Sequence, residues 1–107
     1  MAVAVRVQLM RLGTEIEISF ENGRYLRVWG PTGCLEMDDA YLISAQISGA
    51  IPIADDGGGH ALYYHHGQAG WGLYCSEFGD LDSGSSVWIA PSLSSLLGDQ
   101  VGAERLP

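Results

Sequence analysis

Hydrophobic and polar residues alternate from the start of the chain. Val3, Val5, Val7 and Leu9 are separated by Ala4, Arg6 and Gln8, a period of two that gives a strand one inward face, here rich in β-branched side chains. Gly13 punctuates the run. Ile16, Ile18 and Phe20 then alternate with Glu15, Glu17 and Ser19, and Asn22-Gly23 leads into Tyr25, Leu26, Val28 and Trp29. Asn-Gly is the favoured pair of a type I′ turn, because both residues tolerate positive φ and the turn's twist matches the strands it joins. A hairpin is predicted here.

Gly30-Pro31-Thr32-Gly33 stops the strand, and from Cys34 to about Ser48 the spacing becomes helical. Cys34, Met37, Tyr41 and Ala45 share one face, widened by Leu35 and Leu42. Glu36 and Asp39 lie off it, where acids suit the first turns of a helix. Ile43 and Ile47 point elsewhere, so a helix covered on two sides is expected, with Gly49 as its C-terminal stop. Ile51-Pro52-Ile53-Ala54 reads as a short strand, in which Pro52 belongs near an edge or a strand start. After the loop Asp55-Asp56-Gly57-Gly58-Gly59, His60 to Tyr64 and Trp71 to Glu77 form a second hairpin, turning within 65–70. Val87-Trp88-Ile89 is a further strand. Pro91 opens a short helix with Leu93, Leu96 and Leu97 as its apolar edge and Gly98 as its end. The pattern predicts an α+β fold: a mostly antiparallel sheet of about 5–7 short strands, one central helix and a short C-terminal helix. One domain spans 1–107, with a loose tail from Asp99 to Pro107.

Composition agrees with a packed core. Of 107 residues 47% are hydrophobic, enough to bury roughly 65% of the unfolded surface. No apolar run approaches the ~18 residues of a membrane span. Arg6 and Arg11 interrupt the N-terminal apolar stretch, so a cytoplasmic chain is expected rather than a signal peptide. Cys34 and Cys75 are too few for a disulfide scaffold and lie in no metal or redox pairing, so two small buried hydrophobes are expected.

Charge changes the picture more than composition does. The chain has no lysine, five arginines and thirteen acids, for a net charge of −8. From Val28 to Ala103 there is no Lys or Arg, while Glu36, Asp38, Asp39, Asp55, Asp56, Glu77, Asp80, Asp82 and Asp99 fall inside that span. Such a surface repels phosphates, which argues against nucleic acid and anionic membranes as partners and favours a basic protein.

Candidate chemistry is sparse. His60, His65 and His66 with Cys75 suggest zinc, but adjacent histidines on a strand face opposite sides. Asp55-Asp56-Gly57-Gly58-Gly59 lacks the alternate oxygen ligands and closing Glu of a calcium loop. A tight turn with its acids in water is expected there. Glu77, Asp80 and Asp82 offer carboxylates for acid–base work, but no Lys or Arg lies near them and no G-x-S-x-G elbow occurs. No cofactor, no metal site and no catalytic residue are expected; a small acid–base or metal-dependent enzyme is the least favoured reading.

The order of segments does resemble a known group. Tyr25-Leu26-Arg27-Val28-Trp29, the helix carrying Asp39-Ala40-Tyr41, Ile51-Pro52-Ile53-Ala54-Asp55-Asp56-Gly57-Gly58-Gly59, Gly72-Leu73-Tyr74, and Ile89-Ala90-Pro91-Ser92-Leu93 before Leu96-Leu97 are similar to the SUKH superfamily of SMI/KNR-type cell-wall regulators and bacterial toxin-immunity proteins. The resemblance covers about residues 24–97. Members usually begin with helices that are missing here. It implies a non-enzymatic α+β module that covers and neutralises a partner toxin; a basic toxin would suit Asp55, Asp56, Glu77, Asp80 and Asp82 as the binding residues. The alternative is a self-associating structural or regulatory homodimer, for which Ile43, Ile47, Trp71 and Trp88 are the contact candidates.

Overall fold

The computed structural model describes residues 3–10, 13–20, 23–81, 86–98 and 101–107, and their side chains from Ile16 onward. Among the described residues seven strands form one antiparallel sheet in chain order: β1 (Val3–Met10), β2 (Gly13–Phe20), β3 (Tyr25–Val28), β4 (Ile51–Asp55), β5 (His60–Gly67), β6 (Gly70–Glu77) and β7 (Val87–Ala90). The β3–β4 connection carries α1 (Pro31–Tyr41) and α2 (Ile43–Gln46); α3 (Leu93–Gly98) and a 3₁₀ turn (Ala103–Arg105) follow β7. The fold is α+β with the sheet dominant. No helix among the described residues is long and apolar enough to cross a membrane.

Because successive side chains on a strand point to opposite faces, the sheet makes two cores. On one face Ile18, Leu26, Leu62, Leu73 and Ile89 pack beneath Leu96, Ala103 and Leu106. On the other, Trp29, Ala61, Tyr63 and Tyr74 pack with Ile43 and Ile47. Each fully buried Leu or Ile stabilises by ~1.5–3 kcal/mol relative to exposure.

The first hairpins follow the predicted alternation, with Val5 opposite Ile18 and Val7 opposite Ile16 in register. The turn after β2 differs from the expected two-residue type. Ile18 pairs with Leu26 and Ser19 with Tyr25, and Phe20 N–H donates to Arg24 C=O at 2.9 Å while Gly23 N–H donates to Phe20 C=O at 3.0 Å. That register leaves three residues in the loop, with Gly23 at φ 86 taking the bulge position that closes such turns. Asn22 lies outside the described residues.

The central helix starts earlier than predicted, with Pro31 in its first turn, and is broken in two. Leu42 adopts φ 55, ψ 43, the one positive φ outside glycine among the described residues. The break is held by Asp38, whose carboxylate accepts Ser44 N–H and Ser44 Oγ–H, each at 2.7 Å. The break splits the expected face: Cys34 and Met37 pack, half-buried, against the core that contains Ile43 and Ile47, whereas Tyr41 and Ala45 are exposed. No α1 residue is fully buried, Leu35 is 73% exposed, and Ile43 and Ile47 are fully buried.

Three further expectations are corrected. Ile43 and Ile47 belong to the chain's own core, so they offer no surface to a second copy; Trp88 is half-buried with its ring edge against Tyr74 at 5.5 Å, and of the four proposed contacts only Trp71, stacked on Tyr64, is exposed. Pro91 precedes α3 rather than opening it: Ser92 caps the helix, its Oγ accepting Ser95 N–H at 3.1 Å. The C-terminal tail is not loose over 101–107. Ala103 and Leu106 are buried, Arg105 Nη1 donates to Ile89 C=O at 3.0 Å and Arg24 Nε donates to Leu106 C=O at 3.0 Å.

Candidate functional site

The acidic loop between β4 and β5 is a tight turn, but its acids are not in water. Asp55 is 2% exposed. It ends β4 opposite Arg27, and its Oδ2 accepts Arg27 Nε at 3.0 Å, Arg27 Nη2 at 3.0 Å and Trp29 Nε1 at 2.6 Å. Its Oδ1 accepts Gly57 N–H at 2.7 Å. Asp56 turns the other way, Oδ1 accepting Gly58 and His60 N–H at 2.8 and 3.0 Å and Oδ2 accepting His60 Nδ1 at 2.8 Å. Backbone N–H groups, one arginine, the Trp29 indole and the His60 imidazole therefore consume both carboxylates,. Neither is a free surface charge, which removes Asp55, and most of Asp56, from the expected partner-binding set.

Of the remaining acids, Glu77 and Asp80 lie at one end of the sheet. His60 is paired directly with Glu77 across β5 and β6, and His60 Nε2 stands 3.8 Å from Glu77 Oε1. Around them a cleft of about 290 Å³ is lined by His60, Cys75, Glu77, Asp80, Val87 and Arg105, together with Ser76 and Pro107. Glu77 and Asp80 are exposed; Asp82 lies outside the described residues. Sequence reasoning overlooked Arg105, which the buried tail brings to the cleft.

Among the described residues the cleft brings an oriented imidazole together with Ser76 and Cys75, neither of which is activated. His60 Nδ1 is held at 2.8 Å from Asp56 Oδ2, and its Nε2 faces Glu77. Ser76 Oγ is engaged with Tyr63 Oη at 2.7 Å. Burial, with Asp56 adding to it, pushes the Cys75 thiol up to about 12, and burial also raises Cys34. A thiol held protonated is a poor nucleophile and a poor metal ligand. Both cysteines are free, and no group of three or more His, Cys, Asp or Glu side chains among the described residues is placed to hold a metal ion. His65 and His66 lie in β5 on successive positions, with His65 edge-on to Tyr63 and Tyr74.

The raised thiol sets the pH behaviour. Because the folded-state value lies above the ordinary value of 9.0, the protonated thiol's contribution is complete below pH 9 and is lost as pH rises towards 12. Tyr25, also pushed up to about 12 by burial and by its hydrogen bond to Glu17, adds to the same alkaline loss. Urea midpoints should fall progressively above pH 9 with little change between pH 7 and 8.5. A C75A variant should flatten the onset of that fall; an unchanged profile would remove Cys75 as its cause.

Beside the cleft, α1 carries a second exposed feature. Leu35, Tyr41 and Leu42 are exposed among the exposed acids Glu36 and Asp39. The Tyr41 ring lies 4.2 Å from the ring of Phe78, which joins the end of α1 to the Glu77–Asp80 turn. Fold and surface together define an antiparallel α+β domain with an acid-rimmed cleft and, on α1 and its C-terminal cap, the exposed apolar residues Leu35, Tyr41 and Leu42. Comparison with protein-family models, with curated proteins and with solved structures gives no match to this chain.

Proposed function

We propose that this chain is a non-enzymatic protein-binding module of the immunity type, and that a basic protein docks on α1 and the adjoining Glu77–Asp80 turn. One observation carries the reading: no side chain of α1 is fully buried, and Leu35 on α1 and Leu42 at its C-terminal cap are 73% and 56% exposed. Apolar groups of this size clustered on a surface, interspersed with Glu36 and Asp39, suit an interface with an apolar centre and a charged rim. The choice of a cationic partner follows from charge complementarity, since the sequence from Val28 to Ala103 supplies carboxylates and no Lys or Arg,. The resemblance to SUKH-type immunity proteins adds the neutralising role. Catalysis is disfavoured by the protonated Cys75 and the engaged Ser76 beside His60.

The test uses immobilised full-length protein, a lysate of the source cells and three variants. Wild type should retain a protein of high isoelectric point, and E36Q/D39N/E77Q/D80N should slow its association about 10-fold or more at low salt. L35A should mainly speed its dissociation. L42G should weaken binding while raising the unfolding midpoint, because leucine in the left-handed region costs ~1–2 kcal/mol that glycine avoids. Retention that survives both the charge and the leucine changes, or an acidic partner indifferent to salt, would overturn the proposal.

A further inference from the structure

The two ends of the sheet are treated differently. At the β7 end the C-terminal segment closes the edge: Arg105 Nη1 donates to Ile89 C=O at 3.0 Å, and Gly102 packs so tightly on that carbonyl that a Cβ would collide with it. At the other end, β1 is the terminal strand of the sheet. It is eight residues long and contains no proline, no lysine and one charge, Arg6. Natural edges of that length usually carry charges, bulges or a cover that prevents pairing.

The outward hydrogen-bonding groups of β1 can be assigned. Phe20 N–H is directed to Arg24 on β3, so alternation along β2 directs the backbone of Ser19, Glu17 and Glu15 to β1. Their register partners are Ala4, Arg6 and Gln8. The N–H and C=O groups of Val3, Val5, Val7 and Leu9 therefore point away from the sheet.

We infer that β1 pairs antiparallel with β1 of a second copy of this chain, with Val7 opposite Val7 on the two-fold axis. The strand supplies its own complement in that register. The outward groups of Val7 meet those of Val7, Val5 meets Leu9, and the one charged position, Arg6, stands opposite Gln8. Shifting by one pleat to bring Val5 opposite Val7 would set Arg6 directly against Arg6 at the close, non-hydrogen-bonded spacing, which is unfavourable. Centring on Val5 or on Gln8 avoids that clash but shortens the ladder. A single isologous register thus combines the longest pairing with no like-charge contact. The inference does not depend on the function proposed above, since it uses the opposite end of the sheet from Glu77 and the β7 edge.

Light scattering on the full chain should give twice the 11.5 kDa chain mass. Val7→Pro removes an outward N–H without removing a bond to β2, and proline is tolerated on such an edge. It should raise the dimer dissociation constant at least 100-fold while circular dichroism stays native. Gln8→Pro, by contrast, removes a donor directed to β2 and should lower the unfolding midpoint. Val7→Cys should cross-link on mild oxidation, because opposed residues at this spacing fall within disulfide reach, and R6C should not. A monomeric wild type at all concentrations, a folded V7P that remains dimeric, or cross-linking through R6C in preference to V7C would overturn the inference.

Discussion

Asp55→Ala is expected to destabilise the protein by about 3–5 kcal/mol, the range for removing one partner of a buried, hydrogen-bonded charge pair. Four donors converge on this carboxylate: both nitrogens of the Arg27 fork, the Trp29 indole and Gly57 N–H. Arg27, with 39% of its side chain exposed, can turn to water after the change. Trp29, 6% exposed, cannot, so its N–H is stranded at a cost of ~1–3 kcal/mol. Asn is no substitute, since one side of its amide would present N–H to another donor. For a domain of about 100 residues, 3 kcal/mol corresponds to a fall of roughly 12–24 °C in Tm. Thermal unfolding followed by circular dichroism checks this, and a double-mutant cycle with R27A should show coupling of ~1.5 kcal/mol or more. A fall in Tm of under about 5 °C for D55A would mean that the network contributes little. The comparison also separates structure from binding: E77Q and D80N, at exposed positions, should leave Tm within ~2 °C of wild type.

That contrast shows why parts of the sequence were readable and others were not. Strand alternation is local, and it announced β1 through β3, the second hairpin and β7 because each strand pairs with its sequence neighbour. The spacing of Leu93, Leu96 and Leu97 likewise indicated α3, whose Leu96 is fully buried. The central helix was legible as a helix but not as two. Nothing in Tyr41-Leu42-Ile43 foretells a leucine at φ 55, a conformation imposed by tertiary contacts and by the Asp38–Ser44 bonds. With that break Tyr41 leaves the inward face, while Cys34 and Met37 stay half-buried against the core that Ile43 and Ile47 complete. For the same reason the acidic loop was misread. Adjacent aspartates before three glycines look solvated in a sequence, yet Asp55 finds Arg27 and Trp29 across the β3–β4 pairing, 28 and 26 positions away. The candidate surface was half legible: Glu77 and Asp80 are exposed as expected, whereas the outward turn of Leu35 and the arrival of Arg105 at the cleft depend on contacts distant in the chain.

Gly102→Ala is expected to be nearly as damaging as the loss of Asp55, at about 3 kcal/mol, and to change association as well as stability. Gly102 holds φ 84, ψ 0, where alanine costs ~1–2 kcal/mol by itself. The added methyl would also strike the Ile89 carbonyl oxygen, which is backbone and cannot swing aside. The chain must lift, and with it go the buried side chains of Ala103 and Leu106, the Arg105 bond to Ile89 and the Arg24 bond to Leu106. Gly98→Ala is the matched control: no atom lies within 4 Å of its added Cβ, and alanine in a helix is favoured by roughly 0.5–1 kcal/mol, so its Tm should hold or rise. The further consequence concerns the sheet edge. Lifting the segment uncovers β7, whose Val87 is already 52% exposed, and leaves an unpaired ladder next to apolar surface. A chain able to pair at β1 and at β7 has two edges and can extend without closing, so G102A should form species larger than a dimer on gel filtration. Combining G102A with V7P should abolish the extended species but leave the loss of stability, because only the first effect needs β1.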